Sequence, residues 1–471
     1  MKNILVLGSG GREHAIACKF RESNKVSNVY VIPGNDGIDK EFITYKTNDF
    51  KEIFDFILEK EIDLVFVGNE QFLADGIVNF LTKKNVNVIG PTKEAAQIES
   101  SKVFSKQLMN HSKIPTAKSQ SFTEINRALY YIIDKSYPIV IKADGLAAGK
   151  GVLIAENNDE ATICINEMLG GNKFGSAGES ILIEEFLTGE EVSVFAFCDG
   201  DNFVSTIFSQ DHKKAFDGDL GLNTGGMGAY APIDKFSHLK SDVDKIVFEP
   251  ILKEMKKAGF PFVGVLYAGL MITETFGSFT INVIEFNCRF GDPETQVILP
   301  LLENDLYDIC EAILQKRINE ISLSWKDKYA VAVILASKGY PEAFEKDYSI
   351  FINFELLRDE KLRLYFAGVE TVESKLKIPE KLEQLYSFST SHLAYDIEKQ
   401  IPVIKWGREG NHHFLTRRGG VLHFKNCGGR VISLVALDDT LKETIDYVYS
   451  KIDLIKSENL RYRTDIGKRG L

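Results

Sequence analysis

The run Val283-Ile284-Glu285-Phe286-Asn287-Cys288-Arg289-Phe290-Gly291-Asp292-Pro293-Glu294-Thr295 sets polar residues at every second position of an apolar strand. Alternation turns Glu285, Asn287 and, if the strand runs that far, Arg289 to one face. A carboxylate and an amide oxygen two residues apart form a hard donor pair suited to a Mg²⁺ that also binds phosphates. A planar guanidinium beside them can fork onto a carboxylate or phosphate. Three aligned polar side chains are costly to bury unused, which favours a working site over a buried polar ladder.

Other segments carry chemistry less decisively. An apolar strand, Pro138 to Ile141, delivers Lys142, and a loop of small residues leads through Gly149, Lys150 and Gly151 into a second strand, Val152 to Ala155. Such a hairpin lets backbone N–H groups approach phosphates, yet alone it reads equally as a plain turn. Ile181 to Ile183 run into Glu184, Glu185, Leu187 and Glu191. That pattern fits a purine held by backbone, with Glu191 accepting from ribose hydroxyls; a solvated acidic loop is the simpler reading of it alone. Asp211-His212-Lys213 precedes a glycine loop with Thr224, Gly225, Gly226 and Met227, fit for a backbone anion cradle. His212 alone reads as a surface histidine. Gly8-Ser9-Gly10-Gly11-Arg12-Glu13-His14 resembles a dinucleotide fingerprint only weakly, because the third glycine falls at Glu13. A helix N-terminus after glycines still suits a phosphate.

These residues need elements to position them. Ile4 to Leu7, Val29 to Ile32, Leu64 to Val67 and Val86 to Ile89 are apolar runs, each followed by a glycine-containing loop and separated by helical periods. They predict a parallel sheet covered on both faces, with ligands at the strands' C-terminal ends. A mixed region follows from about 101 to 315. A third opens with Val331 to Leu335, includes Val431 to Val435, and carries a helical pattern from Leu441 to Ile455. The chain has 471 residues, room for about three domains. With 56 basic and 67 acidic residues its net charge is −11, which lacks the attraction that drives nucleic-acid binding. Six cysteines without a C-x-x-C pair signal neither zinc nor a redox motif and suit a reducing cytosol. The N-terminus shows no signal peptide, and no apolar stretch is long enough to span a membrane. The expected location is cytoplasmic.

Taken together and in order, these segments resemble the phosphoribosylamine–glycine ligases of the ATP-grasp superfamily. To those above are added Pro33-Gly34-Asn35, Gly90 to Lys93, Ser101-Lys102 and Tyr267 to Met271. The match covers roughly the first 340 residues. The resemblance implies a multidomain α/β and α+β fold. Residues 1–101 would form a parallel-sheet, substrate-binding domain preceding the ATP-grasp, and 102–315 the ATP-grasp domain with a nucleotide lid at about 116–188. Residues 316–471 would form an α+β domain. It implies that ATP, glycine and phosphoribosylamine give glycinamide ribonucleotide, ADP and phosphate through a glycyl phosphate. ATP and Mg²⁺ or Mn²⁺ would be required, the metal on Glu285 and Asn287. Lys102, Lys142 and the Gly149 to Gly151 loop would hold phosphates; Glu184, Glu185, Leu187 and Glu191 would hold adenosine. Arg289 would meet glycine's carboxylate or the acyl phosphate, and Asp211 would assist catalysis. Gly10, Gly11, Glu70, His212, Thr224 to Met227 and Asp292 would contact substrate. A monomer or small homo-oligomer is expected.

Some stretches depart from the family. Gly68-Asn69-Glu70 stands where Gly-Pro-Glu is usual, though the acid survives. The strand before Glu285 reads Gly269-Leu270-Met271-Ile272 and lacks an acidic ligand for a second metal. The stretch from about 368 to 427 is unusually long, and its His412-His413 pair would face opposite ways on a strand, a poor chelate. The alternatives are a bicarbonate- or formate-using ATP-grasp ligase, a non-catalytic nucleotide-binding regulator, and a dehydrogenase using the N-terminal sheet.

Overall fold

A computed structural model describes residues 1–146, 151–171, 178–353, 355–372 and 421–471. The first apolar run becomes the centre of a five-stranded parallel sheet. Lys2–Gly8 is flanked by Val26–Pro33 and Leu64–Val67, with Ile43–Thr44 and Val88–Ile89 at the edges. Its strands are apolar at successive positions because both faces are covered: Leu5 and Leu7 join one buried cluster, Ile4 and Val6 another. The helix Gly11–Arg21 follows the first strand directly.

Gly8 has φ +143°, and a side chain there would collide with Glu13, whose Cγ lies 2.3 Å from the Cβ position. Gly68 is confined by the same carboxylate, with Oε1 2.6 Å from its Cβ position. Glu13 is buried, accepts from Gly10 N at 2.7 Å and pairs with Arg12 at 2.6 Å. The two glycines thus make room for a glutamate, not for a pyrophosphate. This occupied crevice argues against the dinucleotide reading.

Two antiparallel four-stranded sheets follow. One runs Ser119–Phe122, Ile181–Glu185, Ile139–Ala143, Val152–Ala155, backed by the helices Ile125–Ile132 and Asn158–Gly170. The other runs Phe203–Ser205, Glu190–Asp199, Val263–Thr275, Ser278–Asn287. In its last pair Gly269 faces Glu285 and Leu270 faces Val283, so Ile284 is an extra, bulged residue.

The C-terminal sheet is shared between regions. Gln210–Asp211 and Gly228–Ala231, from the central part of the chain, continue into Tyr329–Ser337, Arg430–Asp438 and Leu362–Phe366. Leu460–Arg461 also pairs with Tyr329–Ser337. The helix Leu441–Lys451, capped by Thr440, packs on this sheet. The expected helical pattern continues for three more residues as a 3₁₀ turn, Ile452–Leu454. Most of the unusually long C-terminal stretch, including Trp406 and His412-His413, lies outside the described residues. Its flanks, Val369–Thr371 and Val421–Asn426, pair antiparallel, so the stretch begins and ends side by side.

Candidate active site

A cavity of about 940 Å³ opens where the parts meet. Gly10, Arg12 and Glu70 reach it from the N-terminal sheet, Lys102, Lys142 and Glu285 from the central region, and Tyr340 and Arg430 from the C-terminal one. Along Ser278–Asn287 and just beyond, Glu285, Asn287 and Arg289 are half-buried and line the cavity, while Phe286, Cys288 and Phe290 are buried. The alternation persists past the strand's end, so the three polar groups do share a face.

Burial alone would raise the Glu285 carboxyl, but Lys213, Lys142, Lys102 and Arg289 together hold it below the usual range. The Asn287 amide lies 3.2 Å from two acceptors, Glu99 Oε1 and the Phe286 carbonyl, so hydrogen bonding assigns its nitrogen to them as donor and leaves its oxygen as the acceptor. An ionised carboxylate and an amide oxygen on one face therefore fit a divalent cation. Gly269, opposite Glu285, offers no ligand, whereas Lys213 ion-pairs with Glu191 and lies 4.0 Å from Glu285.

The cations are tightly arranged. Glu184 lies between Lys106 and Lys142, each ammonium 2.7 Å away. Lys142 also donates to the bulged Ile284 carbonyl at 3.3 Å. Burial would raise the Glu184 carboxyl, and these lysines hold it low. Lys102 donates to the Gly145 carbonyl at 2.8 Å. Asp144 accepts from Val103 N at 3.2 Å and from Ser101 Oγ at 3.3 Å, which docks the lysine hairpin on the helix Lys102–His111. Burial, reinforced by Lys142, lowers the Lys102 ammonium. Arg289 contacts Glu99 at 2.6 Å, Glu70 at 3.2 Å and the Phe290 carbonyl at 3.2 Å, and Glu70 also pairs with Arg12 at 3.1 Å. Val140, Ile154, Leu182, Phe186, Leu187 and Met271 give the cavity an apolar wall beside these charges.

Most residues singled out from sequence converge here: Gly10, Glu70, Lys102, Lys142, Gly151, Glu184, Glu185, Leu187, Glu191, Asp211, Thr224, Gly225, Glu285, Asn287, Arg289 and Asp292 all line the cavity. Gly149 and Lys150 lie outside the described residues. Four candidates are not on the described wall. Gly11 opens its helix, where a side chain would meet Gln296 Nε2 at 2.9 Å. Gly226 has φ +109° and sits against Pro293, 2.4 Å from the Cβ position. Met227 packs with Ile334 and Ala336. His212 points away because its neighbours Asp211 and Lys213 face the cavity.

His212 is fully buried, and neither ring nitrogen has a hydrogen-bond partner among the described residues. Burial, with Arg469 and Arg463, pushes its pKa down to about 3. The depressed folded value means stability is retained above the unfolded pKa near 6.5 and lost as pH falls toward 3. From pH 7 to pH 5 the protein should lose about 2 kcal/mol through this ring. Urea unfolding at both pH values should show that loss reduced in His212→Gln; equal losses would mean that the imidazole protonates unhindered.

Sequence reasoning missed Glu99, Lys106, Lys213, Glu294, Tyr340 and Arg430 as site residues. Arg430 donates to the carbonyls of Gly225 and Asp292, each at 2.6 Å, and Tyr340 accepts from Gly225 N at 3.0 Å. Glu294 accepts from Ser193 Oγ at 3.1 Å, and burial holds both its carboxyl and that of Asp211 above the usual range. A separate group, His14, Cys18 and Glu41, has metal-like spacing. Phe366 N donates to His14 Nδ1 at 3.0 Å, which keeps the neutral ring's proton on Nε2, facing Glu41. Arg21 already balances Glu41 at 2.9 Å, so the group reads as a structural ion cluster.

The sequence and the fold are shared with known proteins. The model of the phosphoribosylglycinamide synthetase N domain matches residues 2–99, and that of its ATP-grasp (A) domain matches residues 100–295. A phosphoribosylamine–glycine ligase of Halalkalibacterium halodurans is 40% identical, covering 100% of this chain and 97% of its own. A bifunctional purine biosynthetic protein of Dictyostelium discoideum is 39% identical over 100% of this chain, which spans 55% of that protein's length. The chain thus spans about half of such a bifunctional relative and nearly all of a single-function one. The crystal structure of phosphoribosylamine–glycine ligase from Thermotoga maritima superposes with a TM-score of 0.75 at 29% identity, covering 98% of this chain and 99% of that one. A biotin carboxylase from Campylobacter jejuni shares the fold at 13% identity, with a TM-score of 0.63 over 99% and 94% of the two chains.

Proposed function

Because the chain belongs to the phosphoribosylglycinamide synthetase family, we propose that its central cavity is where glycine is activated by ATP and joined to phosphoribosylamine. The chain is an ATP-dependent ligase forming a C–N bond in purine biosynthesis. One observation carries the assignment of the site: Lys102, Lys142 and Arg289 meet Glu285 and Asn287 on the wall of a single cavity. Two anions, a triphosphate and a carboxylate, must approach closely there, and cations offset their repulsion.

In the reading we favour, the apolar wall around Ile154, Leu182 and Met271 takes adenine, and Glu191 accepts from ribose hydroxyls. Lys102 and Lys142 hold the phosphates. Glu285 and Asn287 would hold a Mg²⁺ or Mn²⁺, which when bound neutralises phosphate charge. Arg289, oriented by Glu70 and Glu99, presents N–H groups to glycine's carboxylate. A carboxylate oxygen attacks the γ-phosphorus, the bond to the β–γ bridging oxygen breaks, and ADP leaves. The amine of phosphoribosylamine, approaching from the Gly10 side, then attacks the carbonyl carbon of the glycyl phosphate. The C–O bond to phosphate breaks, and the amine's proton is lost to the surroundings. The remaining contribution is positioning; no protein nucleophile is required. Six scattered cysteines with no C-x-x-C pair accord with a cytosolic setting.

Phosphate release should require glycine and phosphoribosylamine together. Release sustained by bicarbonate or formate in place of glycine would overturn this reading in favour of another ATP-grasp ligase, and nucleotide binding without turnover would favour a regulator.

A further inference from the structure

A side-chain amide has two faces of nearly equal shape, one an acceptor and one a double donor. Only the oxygen can ligate a hard cation, so something must decide which way Asn287 is turned. The Phe286 carbonyl is one such neighbour, and Glu99 is the other. Glu99 lies in the last turn of the helix Lys93–Ser100, 189 residues before Cys288, and is 8% exposed.

Its carboxylate is spent on three consecutive residues. Oε1 receives the Asn287 amide nitrogen at 3.2 Å and Arg289 Nη2 at 2.6 Å. Oε2 receives Cys288 N at 2.8 Å and Cys288 Sγ at 3.1 Å. Turning the amide over would set its oxygen against Glu99 Oε1 and the Phe286 carbonyl, two acceptors facing an acceptor. We propose that Glu99 is a positioning residue for the metal–triphosphate site, holding Asn287 with its oxygen toward the cation and Arg289 alongside. This rests on the reading of Glu285 and Asn287 as metal ligands. Partners that orient metal ligands in this way typically contribute a factor of about 10–100 in metal affinity.

The test uses the full chain with ATP and Mn²⁺, reading free Mn²⁺ by its electron paramagnetic resonance signal, without glycine and hence without turnover. Glu99→Gln should weaken Mn²⁺ binding about tenfold. The Asn287→Ala variant should weaken it at least as much, and the double variant should be no weaker than Asn287→Ala alone, because the effect of Glu99 passes through that amide. Multiplying effects would overturn the proposal, as would unchanged binding in Glu99→Gln beside weakened binding in Asn287→Ala. Unchanged binding in Asn287→Ala would instead remove the metal reading itself. Asn287→Asp covers the case in which Glu99→Gln does not fold. It offers the ion a second carboxylate but opposes Glu99 at 3.2 Å, so it should bind Mn²⁺ more weakly than the wild type. Tighter binding in that variant would overturn the proposal.

Discussion

Glu285→Ala should lower turnover by roughly 10³-fold while leaving the protein folded. The substitution removes one of the two oxygens proposed to hold the cation. About 4 kcal/mol of stabilisation of the phosphate charge is the scale implied by such a loss. The fold should survive because the Glu285 side chain is 35% exposed in the cavity, and Lys213 keeps its closer partner Glu191. Steady-state rates at saturating Mg²⁺, with a thermal melt of the same preparation, check the expectation. Near-normal turnover in a folded variant would refute the metal role. Unfolding would assign Glu285 a structural one.

Lys142→Ala should affect two quantities that a second substitution can separate. Lys142 is buried and holds Glu184 at 2.7 Å, leaving that carboxylate to Lys106 alone once removed. Stripping one partner from a buried ion cluster costs about 3 kcal/mol. The loss of an ammonium proposed to face the triphosphate should also cut kcat/KM for ATP by roughly 10²–10³-fold. Lys142→Arg keeps a cation beside Glu184, so that variant should retain most of the stability while its bulkier, planar guanidinium restores little of the turnover. If activity returned together with stability, Lys142 would be a structural residue rather than a phosphate ligand.

The N-terminal sheet was legible because a strand covered on both faces must be apolar at nearly every position, and Ile4 to Leu7 and Leu64 to Val67 are. The strand carrying Glu285, Asn287 and Arg289 was legible for the opposite reason: its polar residues alternate with Phe286, Cys288 and Phe290. Glu99, Lys106 and Arg430 left no such mark. Their partners lie far along the chain, as with Arg430 and Gly225, 205 residues apart, and no local pattern encodes such a pairing. His212 could have been placed correctly. On an extended segment it must face opposite to Asp211 and Lys213, and two charged neighbours are the better candidates for a wet wall. Glu13 was noted only as a flaw in a glycine fingerprint. In the folded chain Glu13 is what Gly8 and Gly68 accommodate.

The strand Gly228–Ala231 lies between Gln210–Asp211 on one side and Tyr329–Ser337 on the other. A chain cut after residue 315 would leave that second edge bare, with a row of unmatched N–H and C=O groups beside small and apolar side chains. Such an edge is a template for pairing with a neighbouring molecule. A truncation built to isolate the nucleotide-binding half would thus tend toward self-association in proportion to its concentration. Whoever dissects this enzyme should carry Tyr329–Ser337 along as a sticky end already matched.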